Sequence, residues 1–369
     1  MLNAARDSGL KRNGNFVVVK HPLDDLDKLD KIGTHDAMLT ETPDEIYDLI
    51  SSNTSTVIIA GISHFEDEGI VDLVDSLVRS GRRVIATGLN LDSEGQPYGH
   101  MTKIAALADE VILAKAICNQ QLCSNDRANR SVKIDGRFEP RCSHHYRFED
   151  SPPISEGSGG SLNLVVGSMF ASKSNTLAKQ LKRYNIVGFE CVVFKWSSDL
   201  RYGEDKKNLF ELGKIKLHDG KEIEAVVVKD VDDMRNYLKE KPRVRIIMVD
   251  EAQFFPKFYD FANELILKGY KIFATGLVRG FKRVPFGDTS KLICLADNID
   301  FRYGVCVVCG NPATENQRLK IVNDVKEPAH FNDPLLMVGG KEAYEARCIH
   351  DWKLLGEPQL RYNIPRFKG

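Results

Sequence analysis

The first thing this sequence lacks is a long apolar run. No stretch approaches the roughly 18–20 apolar residues of a spanning helix, and the start, MLNAARDSGLKRNGN, has no apolar signal-peptide core. Both absences point to a soluble cytoplasmic protein that meets no membrane. An excess of either charge is also missing: 51 Lys and Arg stand against 52 Asp and Glu, a formal net charge of -1. That balance excludes a chain built around bulk attraction to nucleic acid, though not a local basic patch. Without a secretion signal, no disulfide framework is expected from the eight cysteines. What is present is ordinary globular material, 42% hydrophobic and 28% charged. At about 100–200 residues per domain, 369 residues suggest two or three domains.

An internal repeat organises the chain. GRRVIATGLN at 81–90 resembles GYKIFATGLV at 269–278, Gly88 to Gly276 being an offset of 188 residues. The same offset takes Pro97 to Pro285, Gly99 to Gly287, Leu107-Ala108-Asp109 to Leu295-Ala296-Asp297, and Cys118 to Cys306. A tandem duplication is expected, with domains at 1–150 and 162–369 joined by the Pro/Ser/Gly-rich linker 151–161. In the second half, strand signals (162–166, 191–195, 244–250, 271–275) alternate with helical ones (175–184, 258–269). That alternation predicts an α/β fold with a mostly parallel sheet. In the first half FVVVK at 16–20 parallels CVVFK at 191–195, which sets Met1 opposite Thr176. The first strand and its loop would then lie before residue 1, either lost from this copy or trimmed from the chain start.

Two motifs carry phosphate chemistry. Gly167-Ser168-Met169-Phe170-Ala171-Ser172-Lys173-Ser174 follows a strand and opens a helix, close to G-x-x-x-x-G-K-[ST] but with Ser172 for the second glycine. Backbone N–H groups and the helix N-terminus would wrap the phosphates of ATP, Lys173 would reach the β/γ-phosphates, and the Ser174 hydroxyl would hold Mg²⁺. If the turn needs a positive φ at Ser172, strain of about 1 kcal/mol or more is expected there. The apolar strand ending at Asp250-Glu251 places one carboxylate to organise Mg²⁺ and a second free to act as a general base.

The blocks G-x-M-F-x-x-K-S, V-D-E-A-Q-F-F, G-L-x-x-x-F-x-x-x-P-F-G, C-V-V-C-G and V-G-G-K-E-A-Y-E-A-R-C, in this order, resemble the type II thymidine kinases over about residues 162–352. The resemblance implies a RecA-like fold with a small zinc-bound domain, here about 304–352, carrying a lasso loop over the nucleoside. It implies transfer of the γ-phosphoryl group of ATP to the 5′-hydroxyl of thymidine. Glu251 is then the base, with Asp219 and Asp250 near the Mg²⁺. Phe254, Leu277, Phe281 and Phe286 line the base pocket, and Met337, Gly339, Gly340 and Tyr344 belong to the lasso. Besides Ser172, the sequence departs from the family at Val278 and Gly280, where acids are usual, and at Arg283, where glycine is usual.

Cys306-x-x-Cys309 is a metal knuckle, and Cys348 with His350 or Asp351 completes a structural zinc set, His350 being the better zinc donor. Cys118, Cys123 and Cys142 with His145 (or His144) form a second set in the first half. That half carries no acid pair: Gly61 and Ile62, or with a one-residue slip Ile62 and Ser63, oppose Asp250 and Glu251. It is therefore expected to be inactive and to pack on the second half as a pseudo-subunit, and further self-association is a second expectation. The competing functions are a non-enzymatic nucleotide- and zinc-binding regulator, and a nucleic-acid-dependent ATPase suggested by DEAQ and the knuckles.

Overall fold

The computed structural model describes residues 15–24, 31–32, 35–120, 123, 128–135, 137–147, 159–197, 211–217, 220–337 and 339–367. The chain forms two compact units, one of residues 1–90, 97–107 and 357–369 and one of 91–96 and 108–356. This division differs from the expected linker boundary. Residues 108–147 belong with the second half, and the C-terminal tail belongs with the first.

In the first unit, β1 (Asn15–Lys20), β4 (Met38–Leu39), β5 (Thr54–Ala60) and β6 (Arg83–Thr87) form a parallel sheet in the order β4-β1-β5-β6. A short hairpin, β2 (Lys31–Ile32) and β3 (His35–Asp36), precedes β4. Helix α1 (Pro43–Asp48) starts at a capping box made by Thr42 and Glu45. Helix α2 (Gly69–Arg79) turns Ile70, Leu73, Val74 and Leu77 toward Val57 and Ile59, the i, i+3, i+4 spacing of an amphipathic helix. Helix α3 (Met101–Leu107) adds Ile104 and Leu107.

The tail closes this core. Tyr362 is 5% exposed within it, and its hydroxyl donates to Asp44 Oδ1 at 2.8 Å. Arg361 donates to Asp44 and Asp67, each at 2.7 Å, and Arg79 makes a forked pair with Glu357. These contacts are why the tail joins the first unit.

The second unit opens with the hairpin β7 (Arg130–Ile134) and β8 (Arg137–Arg141) and the short helix α4 (Ser143–Arg147). Its main sheet uses β9 (Ser161–Gly167), β10 (Cys191–Trp196), β11 (Glu211–Lys216), β12 (Glu222–Val228), β13 (Ile246–Val249), β14 (Lys271–Gly276) and β15 (Asn298–Arg302). Their order is β11-β12-β10-β13-β14-β9-β15, parallel except for β11 at the edge. Helices α5 (Lys173–Ile186), α6 (Val231–Glu240), α7 (Phe258–Leu267) and α8 (Thr289–Leu295) connect the strands. The expected parallel α/β architecture is what forms, and all four strand signals of the second half become strands. Beyond it lie β16 (Gly304–Val305) paired with β17 (Pro312–Ala313), and a three-stranded sheet of β18 (Glu315–Val322), β19 (Val325–Pro328) and β20 (Tyr344–Arg347).

Truncating the tail's aromatic anchor tests its role. Tyr362→Ala is expected to reduce the stability of the first unit by about 2–4 kcal/mol, read as faster hydrogen exchange of the β5 amides.

Candidate active site

The carboxyl ends of β9, β13 and β14 bring the two phosphate motifs together. Gly167 ends β9 at φ 151°, and a Cβ there would lie 1.8 Å from the Arg302 carbonyl, so only glycine fits. Ser172 does adopt the left-handed conformation, with φ 56° and ψ 33°, directly before α5. The strain expected from the sequence is therefore present. Lys173 is buried, and its ammonium donates to the Ser168 carbonyl at 2.8 Å, inside the loop. Burial drives its pKa down. Such a lysine gains from a polyanion placed in the same hollow.

Asp250 is buried at the end of β13. Its Oδ1 accepts from Ser174 Oγ at 2.9 Å and from Thr275 Oγ1 at 2.6 Å. Burial first, and then the neighbouring Glu251, pushes its pKa up to about 6. A dication beside Asp250 and Ser174 would reverse that penalty, so these residues fit Mg²⁺. Glu251 also sits in the left-handed region, at φ 55°. Its amide donates to Thr275 Oγ1 at 3.2 Å, and its carboxylate accepts from Gln253 Nε2. A non-glycine residue held this way beside a phosphate loop is strain of the kind concentrated at working sites.

Next to the acids, Phe254 stacks on Trp196 at 4.8 Å and meets Phe286 edge-on at 5.8 Å. Leu277 is buried, and its amide donates to Gln253 Oε1 at 3.0 Å, which ties the loop 277–287 to the Glu251 turn. Phe281 packs elsewhere: Arg318 lies over its ring at 5.0 Å, and Trp352 Nε1 donates to its carbonyl. Arg283 is left-handed, at φ 62°. In the lasso segment, Tyr344 donates its hydroxyl to the Met337 carbonyl at 2.8 Å and its amide to the Gly340 carbonyl at 2.9 Å, with Gly339 between. Asp219 lies outside the described residues.

Sequence reasoning missed Trp196, Thr275, Gln253 and above all the start of β18. Glu315, Asn316, Gln317 and Arg318 are four consecutive buried polar residues. Glu315 Oε1 pairs with Arg279 at 3.1 Å and with Arg283. Asn316 Nδ2 donates to the Arg279 carbonyl at 2.9 Å, while its Oδ1 accepts from the Met169 amide at 2.7 Å. One amide thus joins the phosphate loop to the loop 277–287. Gln317 makes two bonds to the Lys353 backbone, and Arg318 reaches the Pro334 carbonyl and Met337 Sδ. Four polar residues in a row read as a solvated strand, so no periodic signal marks them.

Both cysteine sets converge. Cys118, Cys123, Cys142 and His145 are all buried, with their ligand atoms within 4.8 Å of one another. His145 Nδ1 is 3.3 Å from Cys142 Sγ and 3.6 Å from Cys118 Sγ. In the second set the fourth group is Asp351, not the favoured His350, which is exposed. The amides of Asp351 and Trp352 turn back to the Cys348 carbonyl, so the third residue after Cys348 returns over it. Asp351 Oδ2 is 3.2 Å from both Cys306 and Cys348, and Cys309 is 3.6 Å from Cys348. A tetrahedron with zinc bonds of about 2.0–2.3 Å has edges of roughly 3.3–3.8 Å. Burial, then Asp351, pushes the Cys348 thiol up to about 12, so a thiolate at Cys348 gains from a neighbouring cation. Both donor sets fit Zn²⁺.

The first unit repeats the Glu251 turn without its acids, and its geometry corrects the register. Glu251 precedes a 3₁₀ turn at Ala252–Phe254, and Gly61, at φ 71°, precedes one at Ile62–His64. Ser63 Oγ accepts the Leu89 amide at 3.1 Å as Gln253 accepts that of Leu277. A Cβ on Gly99 would meet the Ser63 carbonyl as one on Gly287 would meet that of Gln253. Ser63 therefore stands for Gln253, and Ala60 and Gly61 stand for Asp250 and Glu251. The two alignments expected from the sequence are therefore shifted by one and by two residues from this geometry.

The thymidine kinase family model matches residues 7–146 and 160–352. A thymidine kinase of Thermococcus kodakarensis is 39% identical over 194 residues, 52% of this chain and 92% of that protein. Among solved structures, domain III of the Thermotoga maritima replication initiation protein DnaA matches at 12% identity and a TM-score of 0.24, over 40% of this chain and 56% of that one. The Legionella pneumophila ATPase DotB matches at 16% identity and a TM-score of 0.22, over 42% and 43%. Scores this low carry no argument about this chain. No described helix is long and apolar enough to cross a membrane.

Two substitutions test the strained loop and the buried acid. Ser172→Gly is expected to stabilise the second unit by about 0.5–1 kcal/mol, since glycine accepts the positive φ at little cost, seen as a higher denaturation midpoint. The raised Asp250 pKa means the folded state holds this proton more tightly than the unfolded chain. The carboxyl therefore opposes folding increasingly as pH rises from about 4 to 6. Asp250→Asn should remove a penalty on the order of 2 kcal/mol at pH 7 and flatten that part of the stability–pH curve.

Proposed function

The chain belongs to the thymidine kinase family, and from that membership we propose that its second half transfers the γ-phosphoryl group of ATP to the 5′-hydroxyl of thymidine. Membership itself makes thymidine phosphorylation the activity and a nucleoside the substrate. The observation that carries the finer reading is the junction of Lys173, Ser174, Asp250 and Glu251 at one end of the parallel sheet.

The chain's own groups then have distinct parts. The loop 167–174 and the α5 N-terminus receive the triphosphate, and Lys173 supplies positive charge in a dry hollow. Ser174 and Asp250 would hold Mg²⁺, which when bound would neutralise phosphate charge. Glu251 accepts the proton of the 5′-hydroxyl as that oxygen bonds to the γ-phosphorus. The bond from the γ-phosphorus to its bridging oxygen breaks, and ADP leaves. Gln253 holds the Glu251 carboxylate in place. Trp196, Phe254 and Phe286 offer flat apolar surfaces to a base, and the lasso segment from Met337 to Tyr344 covers it. The two sets, Cys118, Cys123, Cys142 and His145 and Cys306, Cys309, Cys348 and Asp351, would hold Zn²⁺ and so tie their segments together.

The first half is the inactive copy of a tandem pair. The repeated turn at Gly61, with alanine and glycine where the second half has acids, supports that reading. A non-enzymatic regulator fits less well, because Ser172 reaches the loop conformation despite its side chain.

The test is phosphorylation of thymidine by the full chain with ATP and Mg²⁺. Glu251→Gln should lower kcat by about 10²–10⁴-fold, the usual worth of a general base. Unchanged turnover in that variant would remove Glu251 from the role.

A further inference from the structure

Three aromatic side chains meet beside the Glu251 turn: Trp196, Phe254 and Phe286. The repeat gives each of them a counterpart in the first unit. The offset from Phe16 to Cys191, 175 residues, takes His21 to Trp196. The turn that sets Ser63 against Gln253 sets His64 against Phe254. The offset of 188 that pairs Gly99 with Gly287 takes Tyr98 to Phe286. Three separate registers thus name one trio, and its geometry repeats. His21 and His64 stack with ring centres 5.6 Å apart and planes at 28°, as Trp196 and Phe254 do at 4.8 Å and 27°. Tyr98 meets His64 edge-on at 5.6 Å and 80°, as Phe286 meets Phe254 at 5.8 Å and 90°.

The trio keeps its shape and changes its chemistry. Two imidazoles and a phenol replace an indole and two phenyl rings, so the flat faces stay and polar edges are added. His21 Nδ1 accepts the Leu23 amide at 3.2 Å, which leaves the ring proton on Nε2 as a donor. The Tyr98 hydroxyl lies 3.5 Å from His64 Nδ1. His64 and Tyr98 are half-buried, and Leu89 is 56% exposed where its counterpart Leu277 is 7% exposed. Two polar atoms at the same end of the sheet are buried without a hydrogen-bond partner among the described residues: Oδ2 of Asp24, which packs against Gly61, and Oγ1 of Thr87, the counterpart of Thr275. We infer that the trio is a second nucleoside site, which binds the base of an uncharged nucleoside without phosphorylating it. The inference rests on the reading that Trp196, Phe254 and Phe286 receive the base in the second half. The ligand is uncharged because Ala60 and Gly61 stand where Asp250 and Glu251 would meet Mg²⁺, and the Asp24 carboxylate beside Gly61 repels phosphate. Stacking on the rings supplies the affinity, and the N–H and carbonyl groups of a base suit the polar edges.

Thymidine and deoxyadenosine are each titrated into the full chain without ATP, while the ring Cε1–H signals of His21 and His64 are followed by NMR. Both signals should shift saturably with one or both nucleosides, and the difference between the two arms tells a pyrimidine site from a purine one. His64→Ala should weaken that binding by about ten- to a hundredfold, the worth of one base–aromatic stack. His64→Phe, which carries the ring found in the second unit, should bind within about threefold of the parent by the same argument. Tyr98→Ala serves as a second variant with the same expected loss, and hydrogen exchange of the β5 amides shows that each variant is folded. Histidine signals that stay in place up to millimolar concentrations of both nucleosides overturn the inference, as does unaltered binding in His64→Ala and Tyr98→Ala. Phe254→Ala addresses the reading underneath: the thymidine KM should rise about ten- to a hundredfold while the His21 and His64 signals still respond. An unchanged thymidine KM in Phe254→Ala overturns that reading of the second half, and the histidine signals still decide whether the first unit binds a nucleoside.

Discussion

Four polar side chains buried in succession at the start of β18 hold the second unit's working parts in one frame. A buried amide or charge without partners costs several kcal/mol, and one with partners fixes their positions. Glu315 holds two arginines of the loop 277–287, Asn316 bridges that loop to the loop 167–174, Gln317 grips the chain just beyond Cys348 and Asp351, and Arg318 reaches Met337. Apolar side chains could fill the same volume, but they would not set the register of four separate segments. The strand can spend its polar groups in this way because β20 pairs along it, residue for residue from Glu315 to Arg318.

A second constraint is strain held at the sheet's carboxyl edge. Ser172 and Glu251 both take a left-handed backbone, and Arg283 does so in the adjoining loop. Glu251 is held from both ends, its amide on Thr275 and its carboxylate on Gln253. The result is a carboxylate aimed by backbone geometry as well as by hydrogen bonds. In the first unit the same bend is made by Gly61, which accepts it without strain and has no group to aim.

Much of this was legible in the sequence, for physical reasons that differ by element. Strands such as LNLVV and CVVFK announce themselves because buried parallel strands are continuous apolar runs. The phosphate loop and the cysteine knuckles are legible because their chemistry demands fixed spacing over a few residues. The antiparallel edge β11 and the zinc-side sheet were not legible, since short strands with mixed exposure have no strong period. Asp351, the alternative to His350, is the side chain that groups with the cysteines, because the turn after Cys348 returns the chain there, which donor quality alone does not reveal. The match of the first half to the acid pair slipped because its register rests on hydrogen bonds of Ser63 and Gln253 that no sequence spacing encodes.

The sequence by itself determined the local pattern: which loop between strand and helix has the G-x-x-x-x-S-K-S spacing, which strand ends in acids, which cysteines group, and that the first half lacks the acid pair. Tertiary structure decided what lies far apart in the chain but must share charge or core. It placed the tail from Glu357 in the first unit, because Tyr362 completes that core and Arg361 meets Asp44 and Asp67. It placed residues 108–147 in the second, because Asp109, Asn129 and Arg130 find partners at Arg279, Asp297 and Asn263. Spacing encodes neighbours along the chain, whereas charge balance and burial are settled only when distant segments meet.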